Sequence, residues 1–346
     1  MVALAIGVSQ NAWGSPAQDK ALLKAAYSLE IDKVRDALKA GANPNSAKDL
    51  RPFLTPLTST LMGVSYQNNK PHPKSHRMRI DIIKMLFANG ARLGSHDYSI
   101  LKFPIRRGEL PLISLLLANG ASPSREILGY TPTQYALVSN QKSAYDLLVT
   151  KGGIPVNRQT AAQLTLIGAS GHFGDIDRLR STLKAGARIN GIDPSGMTAL
   201  VSSVAQGIQY PQRFEIIRWL LDHGANPNLS SINNSTISNI PLHIFIFWNQ
   251  DVMNLKSDNQ YDIEVRGLAE EAMKLLFKAG AKVSGVDSMG RTPLHWAAKS
   301  DNYRAAQILI SEGSKVMPRD KAGKTPLDYA ETGRMIKLLK ANGARE

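Results

Sequence analysis

"GRTPLHWAAKSDNYRAAQILISEGSKV", residues 290–316, holds one complete unit of a pattern that recurs along the chain. Its opening phrase, Thr-Pro-Leu-His at 292–295, has relatives at 55–58, 131–134, 198–201, 240–243 and 325–328. Its closing phrase sets two leucine-like residues and two variable ones before a glycine, usually followed by alanine. That phrase recurs with glycines at 41, 90, 120, 152, 186, 224, 280, 313 and 343. Successive glycines lie 49, 30, 32, 34, 38, 56, 33 and 30 residues apart, so six of eight steps fall near 33 and two carry insertions. Self-similarity at that period marks a repeat architecture and overrides a domain count taken from the length of 346 residues.

The residues of one unit predict its form. Thr292 is placed to accept from the unpaired N–H groups of a helix start, Pro293 fits the first helical position, and Leu294 turns inward. Ala297 and Ala298 leave room for another helix to approach. "YRAAQILI" (303–310) has apolar residues at helical spacing, and Gly313 ends that second helix in the left-handed conformation glycine adopts cheaply. Asp and Gly in "DPSG" (193–196), "DSMG" (287–290) and "DKAG" (320–323) suit a tight reversal. Two short helices cannot hide enough apolar surface alone, so neighbours must complete each core and the units stack into an elongated array.

Phrase, period and the nine glycine endings together resemble ankyrin repeats over residues 19–346. The resemblance implies an all-α ankyrin-repeat solenoid of about nine helix-turn-helix units, with short helices inside, longer helices outside and β-turn fingers projecting at right angles. It also implies that the phrase histidines, His243 and His295, bridge backbone groups between neighbouring units. Carried onto matching positions, the family's partner contacts fall on Ser288, Met289 and Arg291, with Lys299 and Ser300 on the following helix. In the last unit they fall on Lys321, Ala322 and Lys324, and earlier on Tyr130 and Met197. Arg291 and Lys324 are expected to be exposed and dispensable for folding.

Some units depart from the pattern. Those ending at Gly41 and Gly186 lack the Thr-Pro-Leu phrase, and the first reads as an N-terminal cap. "GIPVNRQTAA" (153–162) breaks the phase, so the chain divides into groups at 19–156 and 157–346, expected to form one continuous array with a bend or division there. In the last unit Asp328 replaces the histidine, and Lys337 and Lys340 suit a solvent-facing cap.

The 49-residue step places a basic insertion at 66–79, with Lys70, Lys74, Arg77 and Arg79 and no acid, expected to lengthen the loop between two helices of one unit. A rigid scaffold often carries recognition on such a loop, and this charge would steer an acidic partner; a flexible solvated loop is the other reading. His72 and His76 lie four apart within it, but two prolines break any helix there and no carboxylate is near, so no metal site is predicted. The second insertion, 229–266, is polar, with Trp248 and Tyr261 as candidate anchors against a core reading for Trp248. His172 and His223 sit where the repeat itself accounts for them, and Glu270-Glu271 falls on a helix exterior.

Composition narrows the function. The net charge is +14, and residues 1–158 hold 20 basic and 10 acidic side chains against 22 and 18 in the remainder, which favours an acidic partner near the N-terminal half. Cysteine is absent, excluding thiolate nucleophiles, disulfides and Cys-based zinc sites. No phosphate loop, nucleophile elbow or zinc-protease motif is present. The expectation is a monomeric, non-enzymatic protein-binding scaffold without cofactor or membrane span, its partner acidic. The alternatives are a binder of nucleic acid or an anionic surface through the basic half, and a host-directed effector or inhibitor-type partner of an exported enzyme. Sparse aromatics, 6% of residues, weigh against the nucleic-acid alternative. Residues 1–18, with small residues at Ala12 and Gly14 before Ser15 but no basic start, read as the remnant of an export signal, hence a periplasmic or secreted setting with a cytoplasmic one as the alternative.

Overall fold

The computed structural model describes residues 14–46, 55–63, 66–67, 70–71, 74–94, 100–173, 175–208, 211–229, 240–255 and 259–345. Its contacts divide the chain into two compact units, Met1–Ala136 with Gln141–Pro155, and Leu137–Asn140 with Val156–Glu346. Each unit is a run of helical hairpins, and the fold class is the all-α repeat solenoid.

In the first unit the helix pairs include Pro16–Tyr27 with Ile31–Lys39, Pro56–Met62 with Ser75–Ala88, and Lys102–Arg107 with Leu110–Ala118. In the second, Arg158–Gly168 pairs with Ile176–Lys184, Ala199–Val204 with Pro211–Asp222, Pro241–Trp248 with Gln260–Lys278, and Pro293–Lys299 with Tyr303–Ser311. A single 3-10 turn, Pro326–Tyr329, faces the last helix Gly333–Ala341. Short-inside, longer-outside holds where the Thr-Pro-Leu phrase is present. It reverses in the units ending at Gly41 and Gly186, whose first helices run 12 and 11 residues against 9 for the second, while the unit ending at Gly120, also without the phrase, keeps the usual order with 6 and 9.

The nine closing glycines all lie in the left-handed region, with φ between 83° and 103°. At seven of them a Cβ would meet nothing within 4 Å, so backbone sign and not crowding demands glycine. At the other end of the unit, the fourth letter of the opening phrase closes a capping box. Thr55 N–H donates to Thr58 Oγ1 at 2.8 Å, Thr131 N–H to Gln134 Oε1 at 2.8 Å, Thr292 N–H to His295 Nδ1 at 3.0 Å, and Thr325 N–H to Asp328 Oδ2 at 2.6 Å. Histidine is one of four side chains that do this job, which is why Asp328 stands there without penalty.

A second link holds successive hairpins in register. Asn45 donates its amide to Gly90 O at 3.0 Å and accepts from Arg92 N–H at 2.7 Å. Asn190 does the same to Gly224 and Asn226, and Asn228 to Gly280 and Lys282. The Asn45 and Asn228 clips join the very hairpins separated by the 49- and 56-residue steps. Insertions therefore leave the repeat at its helix tips: the short antiparallel pair Tyr66–Gln67 and Lys70–Pro71 in the first, and helix Gln250–Met253 with a 19-residue outer helix in the second.

Candidate functional site

Three fingers of the second unit share one construction. The N–H of Asp193, Asp287 and Asp320 donates to the carbonyl four residues on, at 3.0, 3.0 and 2.9 Å, and a glycine at φ 76° to 80° completes each reversal. Each aspartate Oδ1 accepts the backbone N–H four residues on, from Met197, Arg291 and Lys324 at 2.8 to 2.9 Å. The second oxygens are spent as well. Asp287 Oδ2 accepts Arg291 Nε at 2.8 Å and the Trp296 indole N–H at 3.0 Å, and Asp320 Oδ2 accepts the Tyr329 hydroxyl at 2.7 Å. Burial alone would raise both carboxyls, yet these donors outweigh it and hold them below the ordinary carboxylate range. The same bond to Asp320 raises the Tyr329 phenol.

Inner-helix histidines brace the finger bases. His243 Nε2 lies 3.1 Å from Arg291 O and His295 Nε2 lies 3.0 Å from Lys324 O, the bridges that the resemblance implied. Burial lowers the pKa of both, and that of His243 to about 4, so each is neutral near pH 7 and donates from Nε2. Consecutive fingers are also joined tip to tip, Lys321 N–H donating to Met289 O at 2.9 Å.

Against this frame the expected contact residues separate into two sets. Ser288, Met289, Lys299, Lys321, Ala322 and Lys324 are exposed, while Met197 and Ser300 are half-buried. Arg291 and Tyr130 are corrections. Arg291 is buried, its guanidinium 4.5 Å from the centre of the Trp296 ring and bonded to Asp287, so it builds the finger instead of decorating it. Tyr130 closes a one-pair bridge with Ile127 and packs its ring 6.3 Å from that of Tyr135.

The basic insertion divides in the same way. Lys70 lies on the short strand pair with its side chain outside the described residues, His72 is outside the described residues, and Lys74 and Arg77 are exposed at the start of helix Ser75–Ala88. Arg79 is the correction: it is buried, ion-paired to Glu109 at 2.8 Å and donating to Gly63 O at 3.3 Å. Its acid comes from the next repeat, 30 residues on, which is why the insertion itself lacked one. In the second insertion residues 230–239 lie outside the described residues. Trp248 and Tyr261 are 53% and 51% exposed, so Trp248 is not core; among the described residues the buried tryptophan is Trp296.

Sequence reading missed the Asp287–Arg291–Trp296 cluster, although its signal was present: an aspartate four before an arginine and nine before a tryptophan across one finger. Among the described residues no cluster of His, Asp and Glu has the makings of a metal site, and no helix is long and apolar enough to cross a membrane.

Residues 263–345 match the family model described as ankyrin repeats in three copies. The chain is also 24% identical over 242 residues to the E3 ubiquitin-protein ligase KEG of Arabidopsis thaliana, covering 61% of this chain and 14% of the ligase.

Proposed function

We propose, from the premise that residues 263–345 are ankyrin repeats, that this chain is a non-enzymatic scaffold that binds an acidic protein partner through its fingers and inner helices. One observation carries the reading. The finger carboxylates of Asp287 and Asp320 are consumed within the turns, whereas Ser288, Met289, Lys321 and Lys324 project from the same turns into solvent. Side chains released from folding duty on a rigid frame are what a recognition surface requires. Met289→Ser with Lys321→Ser is expected to weaken binding to a captured and purified partner with the melting temperature unchanged. Undiminished binding would move the interface elsewhere.

The alternative, an anionic surface or nucleic acid held by the first unit, is favoured by exposed Lys74, Arg77, Arg106 and Arg107. Affinity for random DNA that collapses between low and physiological salt is its signature. Residues 1–18 support a periplasmic or secreted setting, with a partner of the exported-enzyme or host-protein kind, against a cytoplasmic one. Cell fractionation of the natural gene product decides between them.

A further inference from the structure

Trp248 occupies a position where the other repeats place nothing large. Eight residues on from the first residue of the opening phrase, the corresponding side chains are Gly63, Ser139, Gln206, Ser300 and Gly333. Trp248 ends the inner helix Pro241–Trp248 with 53% of its surface in water, and Phe247 beside it is half-buried. The Phe247 ring meets Trp248 edge-on at 5.4 Å and Trp296 edge-on at 5.7 Å. The exposed indole is thus the outer end of a row of rings running into the next inner helix.

Cations stand on the two repeats that follow Trp248. Lys299 Nζ lies 5.6 Å from the centre of the Trp296 ring, Lys324 Nζ lies 5.5 Å from that of Tyr329, and Lys321 stands at the finger tip. The ion pairs of this region join other residues: Arg291 to Asp287, Arg304 to Glu270 and Arg334 to Asp301. Among the described residues, Lys299, Lys321 and Lys324 form no ion pair, although Lys324 helps hold the exposed Asp328 carboxyl below its ordinary range. An exposed indole on a rigid helix is a low-entropy anchor for a partner's apolar side chain, and lysines exposed on the next two repeats select the sign of the charge on a partner that runs along them.

We propose that this surface of the second unit binds an extended acidic polypeptide segment whose large apolar side chain packs on Trp248 and whose carboxylates pair with Lys299, Lys321 and Lys324. The proposal rests on the scaffold reading above and narrows it to a partner chemistry and an anchor. Polypeptide is favoured over single-stranded nucleic acid because sequence-tolerant strand binding needs several rings, each stacking a base. Here Trp296 is 5% exposed and the Tyr329 hydroxyl is tied to Asp320, which leaves Trp248 as the broad open ring of the row.

The test uses the full chain and a fluorescein-labelled peptide carrying a Phe-Phe pair between runs of aspartate, followed by anisotropy. Trp248→Ala is expected to weaken binding at least about tenfold, the scale of an anchor residue. Lys299→Ser with Lys324→Ser, and a Ser-Ser version of the peptide, are expected to weaken it too, with thermal melting unchanged because these side chains lie at the surface. The proposal falls if the peptide does not bind, if Trp248→Ala binds it like the natural chain, or if a thymidine oligonucleotide of similar length binds more tightly. A natural partner that binds the Trp248→Ala variant undiminished would end this inference alone and leave the scaffold standing. A chain that captures no protein at all would end both.

Discussion

Arg291 and Trp296 donate to the same carboxylate oxygen of Asp287, at 2.8 and 3.0 Å, while the guanidinium lies 4.5 Å from the centre of the indole ring. A position that matches a partner contact of the family is here part of a closed polar cluster. Asp287→Ala strands a buried guanidinium, an indole N–H and two backbone N–H groups, and is expected to cost about 3 kcal/mol or more in chemical denaturation. Arg291→Ser should likewise lower the melting temperature, whereas exposed Lys324→Ser should not. Equal melting of the Arg291 variant and the natural chain would show that the finger stands without this cluster.

Arg79 and Glu109 form the corresponding buried pair of the first unit, with side chains 6% and 9% exposed. Glu109→Ala leaves the guanidinium uncompensated and should cost about 3 to 5 kcal/mol, while Arg79→Met with Glu109→Leu should recover most of that loss. A double variant no more stable than Glu109→Ala would mean that the pair contributes more than relief from an isolated buried charge.

Ile240 stands where Thr292 caps the next repeat, and the buried Nδ1 of His243 has no hydrogen-bond partner among the described residues. In the threonine-led repeat the matching nitrogen of His295 lies 2.9 Å from Thr292 Oγ1 and accepts from its N–H. Ile240→Thr is expected to supply the missing partner and stabilise the chain by about 1 kcal/mol, read as a raised denaturation midpoint. No gain, or a loss, would show that the isoleucine's packing outweighs the bond.

His243 also makes stability depend on pH. Burial holds its folded-state pKa at about 4, against 6.5 for an ordinary imidazole. As pH falls the unfolded chain takes up the proton first, so the folded state loses stability between about 6.5 and 4, with about 3 kcal/mol at stake in full. The Arg291 carbonyl and Asp287 act in the opposite direction without reversing the shift. Melting curves from neutral pH to pH 4 should fall less steeply for His243→Gln than for the natural chain; parallel curves would remove this residue as the cause.

Much of the fold was legible in the chain because the repeat writes its mechanical needs at fixed intervals. A glycine that must take positive φ, a threonine that must cap and a proline that tolerates a first turn are local demands, readable one unit at a time. The site was less legible because its deciding contacts join particular side chains, within a finger or between repeats, that the repeat phrase does not specify. Nothing near Arg79 announces that Glu109, 30 residues on, will neutralise it, whereas the spacing of Asp287, Arg291 and Trp296 stands within one finger and carries a signal that the repeat pattern alone does not draw out. Trp248 is the opposite case: a bulky apolar residue that hydropathy assigns to the interior lies in water because the inner helix ends there and the insertion begins.

The clips made by Asn45 and Asn228 separate two properties that most folds couple, the spacing of successive elements and the length of chain that joins them. Pitch is set along one margin of the hairpins, so the opposite margin is free to grow. Either tip, after Met62 or after Trp248, is a place where a foreign segment could be spliced and presented without disturbing its neighbours, and where natural lineages could try out new contacts at small risk to the frame.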